Sequence, residues 1–141
     1  MQRLLRVVVG GILLASALGK SLDLPGFVEV LVTYHTFPDW SLGPIAISIT
    51  VIEWVLGVSI LSGWRLATGA LAGLVLNMTY AIWTTLSLLH GLDLPNCGCY
   101  GVFFPQPLRR YSPLEDLLLV GMCYAVWKSA RKSLPPIDRC F

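Results

Sequence analysis

The chain has 141 residues, 55% of them hydrophobic and only 13% charged, with a net charge of +2. Soluble domains carry about 25% charged and about 45–50% apolar residues, so both departures point towards a bilayer. The small net charge, with basic residues confined to segment ends, excludes nucleic-acid binding, and four scattered cysteines exclude a disulfide framework. The length suits one membrane domain, 1–141, without repeats.

The first expected span runs from Leu4 to Lys20, where Arg3 and Arg6 introduce an uncharged stretch from Val7 to Leu18. The same pattern would fit a cleaved signal peptide with Ala15-Ser16-Ala17 as its small-residue site; the reading adopted is a retained span. Gly11, Ala15 and Gly19 form a small-residue stripe suited to helix packing. From Pro25 to Phe37, Phe27, Leu31 and Tyr34 recur at helical spacing behind a capping Asp23, which predicts a short amphipathic helix at the outer interface.

Ser41 to Ser62 is the second span, with Pro44 near its first turn, where proline costs little. Leu66 to Leu89, the third, contains no charge; Gly69 and Gly73 give it a small packing face. Pro113 to Ala130 is the fourth, about 27 Å long at 1.5 Å per residue. Glu115 and Asp116 in its first turn suit the helix dipole, and Lys128, Arg131 and Lys132 follow at its far end. The predicted fold is all-α: a four-helix transmembrane bundle (spans 4–20, 41–62, 66–89 and 113–130) with a short outer interfacial helix and a long outward Cys-X-Cys loop over 91–112.

Four spans put both termini on one side. That side would hold seven basic residues (Arg3, Arg6, Arg65, Lys128, Arg131, Lys132 and Arg139), against Lys20, Arg109 and Arg110 opposite. The positive-inside rule then places both termini in the cytoplasm and the cysteine loop outside, where thiols are oxidised.

That loop carries Asn96-Cys97-Gly98-Cys99-Tyr100-Gly101. A disulfide closing so small a ring would add only about 1–2 kcal/mol by chain entropy, less its strain. The i, i+2 spacing makes a poor staple and an easily reduced bond, which favours a redox pair; soft-metal binding and a structural role remain open. Cys123 should be a buried small hydrophobe, and Cys140 lies across the membrane from the loop. Neither supplies a second dithiol, so a partner must complete any electron path.

Glu53 is the one acid well inside a span, so it should face the bundle interior, where an interhelical hydrogen bond to a group such as Asn77 at similar depth is favoured over a proton or quinone site. Lys20, His90, Glu115 and Asp116 fall at outer helix ends near the cysteines. Lys20 is expected to pair with Asp116 or Glu115, and His90 is a candidate to favour a cysteine thiolate.

With these residues in view, the chain resembles the DoxX-like membrane proteins and, within them, the MauE group linked to methylamine utilisation. The likeness runs from Ala17-Leu18-Gly19-Lys20 and Leu24-Pro25-Gly26-Phe27, through Glu53 and Gly57, to an acid at Asp116. Its sharpest part is Cys97-Gly98-Cys99-Tyr100-Gly101, similar to the group's Cys-Gly-Cys-Phe-Gly, with Tyr100 departing from the phenylalanine. The resemblance implies a four-helix membrane bundle in a bacterial inner membrane, beside a thioredoxin-like partner that matures disulfide-containing periplasmic proteins. Other DoxX-like members are associated with quinone-linked sulfur oxidation.

The expected function is therefore thiol-disulfide exchange by Cys97 and Cys99 with a thioredoxin-like or substrate protein, supported by Lys20, Glu53, His90 and Asp116. Reoxidation would fall to a quinone near the bundle mouth or to another protein. The rivals are a soft-metal-binding protein, which would need His90, His35 or a partner to complete a tetrahedral site, and a noncatalytic accessory subunit of a larger membrane complex.

Overall fold

The computed structural model describes residues 2–103 and 105–132. Arg139 and Cys140, counted above on the cytoplasmic side, lie outside the described residues. Among the described residues five helices follow in order: α1 Gln2–Leu22, α2 Leu24–Val32, α3 Asp39–Ser62, α4 Leu66–Leu89 and α5 Ser112–Lys132. No strand occurs among the described residues. Three helices among the described residues, α1, α3 and α4, are long and apolar enough to cross a membrane.

The helix boundaries follow local chemistry. Asp23 caps α2, its Oδ1 accepting from the Gly26 N–H at 2.9 Å. α2 ends at Val32, earlier than the periodicity of Tyr34 suggests, and His35 turns the chain with φ +51°. α3 begins at Asp39, so Pro44 lies in its second turn rather than its first. α3 closes on Gly63 in the left-handed conformation, and Arg6 of α1 donates to the end carbonyls of Ile60 and Leu61 at 3.2 and 3.1 Å.

The helices pack as a ring: α1 lies on α3, α3 on α4, α4 on α5, and α5 back on α1, with α2 laid against α3. Val9, Leu13, Leu56, Ile60 and Cys123 fill the core at one end. Cys123 is fully buried there, as its depth in the fourth expected span requires. The outward faces are apolar, with Val7, Ile47, Val55, Val75, Ile82 and Leu118 all more than half exposed, while Ser16, Thr50, Asn77 and Thr84 are buried. Polar groups inside and aliphatic groups outside is the distribution hydrocarbon demands. The buried hydroxyls spend their protons locally: Thr50 donates to Ala46 O and Thr84 to Tyr80 O.

The small-residue stripe on α1 works differently from the expectation. Ala15 is exposed and a side chain at Gly11 would meet nothing. The helix–helix approach runs through Gly10 and Gly57, each facing the other's carbonyl. Gly19 instead faces the backbone of Tyr100, and Gly101, at φ +76°, faces the backbone of Gly19 and Lys20. The cysteine loop is thus seated backbone to backbone on α1. Gly101→Ala should destabilise the protein by about 1–3 kcal/mol through overpacking, with left-handed strain adding to it. Gly11→Ala, in open space, should be near neutral; thermal unfolding in detergent compares the two.

Candidate functional site

The loop 91–112 bridges α4 and α5 but rests on α1 and α2. Cys97 N–H donates to Gln106 O at 2.7 Å and Leu108 N–H to Leu94 O at 2.9 Å, which closes the base of the loop as a narrow clasp. Asn96 holds the turn, accepting from Gly98 N–H at 2.9 Å and donating to Gly101 O at 3.2 Å. Two hydroxyls then fix the peptide carbonyls of the pair: Tyr34 donates to Cys97 O at 2.9 Å, and Ser16 Oγ stands 2.6 Å from Cys99 O. Gly98 takes φ +75°, and a Cβ there would stand 3.0 Å from Val30 and 3.2 Å from Phe27 of α2, so a larger residue would be strained.

Cys97 and Cys99 are free thiols, Cys97 buried and Cys99 partly exposed. Cys97 Sγ accepts from the Cys99 backbone N–H at 3.4 Å. The hydrogen bond from the Cys99 thiol is the main influence lowering the Cys97 pKa, with burial opposing it and the Lys20 charge assisting. The same hydrogen bond and burial push the Cys99 thiol well up. The pair is therefore asymmetric, the hydrogen bond between the sulfurs favouring the thiolate at Cys97 over Cys99. Tyr34 and Tyr100 beside it are held towards the phenol form by burial first and then by nearby negative charge.

Beneath the loop lies a buried ion pair. Lys20 Nζ stands 2.6 Å from Glu53 Oε1, and the two side chains are 2% and 1% exposed. Lys20 also donates to Ser16 Oγ at 2.8 Å, and its ammonium lies 5.3 Å from the Phe27 ring and 5.5 Å from the Tyr80 ring. Tyr80 Oη donates to Glu53 Oε1 at 2.8 Å, and Ser16 Oγ is 3.1 Å from Oε2. Ser16 thus links the ion pair to the Cys99 carbonyl.

This arrangement corrects two sequence expectations. Lys20 pairs with Glu53 of α3, not with Asp116 or Glu115, because its aliphatic stem reaches inward from the end of α1. Glu53 does not bond to Asn77, whose amide donates to Gly73 O in its own helix at 2.7 Å. An ammonium at 2.6 Å is a far stronger partner for a carboxylate than a neutral amide. Asp116 is buried and accepts from Thr84 Oγ1 at 3.3 Å, whereas Glu115 is exposed. His90 caps α4 in an exposed position and lines neither cavity at the cysteines. No group of three or more His, Cys, Asp or Glu side chains among the described residues is placed to hold a metal.

Two cavities meet at the thiols. One, of about 290 Å³, is lined by Ser16, Glu53, Asn77, Glu115 and Asp116 among others. The second, of about 200 Å³, is walled by Phe27, Tyr34, Phe37 and Trp83. Cys97, Cys99 and Tyr80 belong to both walls. Sequence reasoning missed Ser16, Tyr80 and Tyr34 as site residues. Only the register of Ser16 one turn before Lys20 was there to suggest the first.

Alkylation of Cys97 in the Cys99→Ala variant should shift to higher pH than in the wild type, since the principal side-chain donor to its thiolate is gone; iodoacetamide rates against pH measure this. Lys20→Met alone should cost about 3–5 kcal/mol by stranding Glu53, and Lys20→Met with Glu53→Gln should recover much of that loss in thermal unfolding.

The comparisons with known proteins agree on one family. The family described as "Methylamine utilisation protein MauE" matches residues 1–129. The chain is similar to the "Methylamine utilization protein MauE" of Paracoccus denitrificans, 23% identical over 131 residues that cover 93% of this chain and 70% of that protein. No solved structure matches. With a match over nearly its whole length, the chain belongs to the MauE family.

Proposed function

We propose that the protein is a membrane thiol-disulfide exchange protein whose Cys97 and Cys99 trade electrons with a thioredoxin-like or disulfide-containing extracytoplasmic protein. The observation that carries this reading is the asymmetric pair itself, one thiol favoured as thiolate and the other held protonated. A structural staple needs no such asymmetry. Redox chemistry does, because a sulfur of lower pKa leaves faster from a disulfide.

In the membrane we read four spans, adding α5 to the three apolar helices, as in the DoxX-like likeness. Its 21 residues reach about 31 Å at 1.5 Å per residue. It exposes Leu114, Leu117, Leu118 and Tyr124, and its charges sit at its ends. In that bundle both termini face the cytoplasm of a bacterial inner membrane and the loop faces outwards. Methylamine utilisation, named for the Paracoccus relative, is the process in which this exchange is proposed to serve.

The exchange runs as follows. In the oxidised form a partner thiolate attacks Cys99, the more exposed residue of the two, and Cys97 leaves as the favoured thiolate. The partner's second thiolate then attacks its own sulfur in the mixed disulfide and expels Cys99, which takes up a proton. Two electrons pass from the partner dithiol to the Cys97–Cys99 pair, and the partner leaves oxidised.

Cys97→Ser and Cys99→Ser should each abolish exchange, with thermal stability changed by no more than about 1–2 kcal/mol. Cys97→Ser should accumulate a mixed disulfide through Cys99, seen on non-reducing gels, and Cys99→Ser should not. If both variants unfold and trap nothing, the pair is a staple; loss of a stoichiometric metal would mark it as a metal site.

A further inference from the structure

Exchange at the cysteine pair moves a proton as well as electrons. Cys99 takes up a proton when it is expelled from the mixed disulfide, and the hydrogen bond to Cys97 together with burial makes its bare thiolate a poor leaving group. A proton donor inside the site would remove that obstacle. Most of the nearby groups are already engaged. Tyr34 donates to Cys97 O at 2.9 Å and Tyr80 to Glu53 Oε1 at 2.8 Å. Ser16 Oγ stands 2.6 Å from Cys99 O, and Glu53 is held by Lys20 at 2.6 Å. Burial keeps the Tyr100 phenol a weak acid.

Asp116 differs from all of these. It is only 6% exposed, and it shares with Cys97 and Cys99 the wall of the cavity of about 290 Å³. Among the described residues no cation stands at ion-pair distance from it; Lys20 of α1 and Glu115 of its own helix are the charges that act on it. Thr84 Oγ1, 3.3 Å from its Oδ2, has one proton and two nearer acceptors, Tyr80 O at 2.9 Å and Ala81 O at 3.2 Å. The hydroxyl can donate to an Asp116 carboxylate, or donate to its own helix and accept from an Asp116 carboxyl. The contact suits both states, as a group that loads and unloads a proton requires. Asn77, Gln106 and Ser112 give the cavity enough polar wall for water to bridge carboxyl and sulfur.

We propose that Asp116 is the proton donor and acceptor of Cys99, working through water in the cavity it shares with the cysteines. The assignment rests on the thiol-exchange reading and adds the group that moves its proton. When the partner's second thiolate attacks, the sulfur–sulfur bond between partner and Cys99 breaks and its electron pair goes to Cys99. The Asp116 O–H bond breaks as the Cys99 S–H bond forms, and the partner sulfurs close their own disulfide. Behind the hydrogen bond to Cys97 and burial, the charge left on Asp116 itself strengthens the hold of Cys99 on that proton. The carboxylate then regains a proton from water at the mouth beside the exposed Glu115. In the opposite direction it takes the Cys99 proton and frees a thiolate to attack.

The test uses full-length protein, oxidised at Cys97 and Cys99, in detergent micelles with dithiothreitol as the dithiol. Acid quenching and intact-mass spectrometry separate the mixed disulfide from the fully reduced pair. Asp116→Asn should slow expulsion of Cys99 about a hundredfold and build up the mixed disulfide, without slowing its formation. Asp116→Glu should keep the wild-type rate, and acetate should restore expulsion in Asp116→Asn in proportion to its acid form. Glu115→Gln should leave the step unchanged. In the wild type, whose donor is internal, expulsion should not depend on acetate concentration, a measurement that needs no variant to fold. Wild-type expulsion that rises with acetate, or a folded Asp116→Asn that expels Cys99 at the wild-type rate, overturns the proposal. So does a loss in Asp116→Asn that neither acetate nor Asp116→Glu recovers. The expected dithiothreitol results with no exchange towards any protein dithiol would instead refute the thiol-exchange function and leave Asp116 as the donor to Cys99.

Discussion

Everything around the thiols depends on the contact between Lys20 and Glu53. An ammonium and a carboxylate taken out of water each lose several kcal/mol of hydration, and the pair holds only if the geometry is good and the remaining polar sites are met. Here they are met by Ser16 and Tyr80, and every buried side-chain nitrogen and oxygen among the described residues has a partner. The contact joins α1 to α3, Tyr80 adds α4, and Ser16 adds the loop through the Cys99 carbonyl. One short ionic contact therefore sets the distances among four segments of chain. It also leaves a positive charge beneath two sulfurs.

Much of the architecture was legible because it rests on local or periodic signals. The uncharged stretches marked the long helices, Asp23 marked the start of α2, and the proline- and glycine-rich stretch marked the loop. The placement of Cys123 followed from depth alone. Pairings over long sequence separations were not legible. Lys20 and Glu53 lie 33 residues apart, and a flexible four-carbon stem lets the ammonium move several ångströms from its backbone position. Proximity of helix ends therefore pointed to Asp116, whereas reach and desolvation selected Glu53. The stripe Gly11-Ala15-Gly19 misled for a related reason. Spacing shows that a helix face is small, but not whether a helix or a loop comes to lie on it.

The candidate site was half visible. Cys97 and Cys99 announce themselves by spacing, but their inequality comes from the turn, which brings first the Cys99 thiol and then its N–H onto the Cys97 sulfur. Ser16 and Tyr80 carry ordinary side chains in ordinary helical positions, Tyr34 sits in the turn after α2, and only the fold gives them work. His90 shows the reverse case, a chemically suggestive residue that the fold leaves at the edge in contact with solvent.

The seating of the loop has a consequence for biogenesis. The loop is a covalent link between α4 and α5, yet its bed is made by the first two helices, through Gly19, Ser16, Phe27 and Tyr34. A chain emerging from the ribosome lays down the bed long before the cysteines exist. An α4–α5 hairpin that has not docked lacks both the burial supplied by the first two helices and the Lys20 charge beneath the pair. The full environment of the two sulfurs is therefore completed only when the last pair of helices closes on the first.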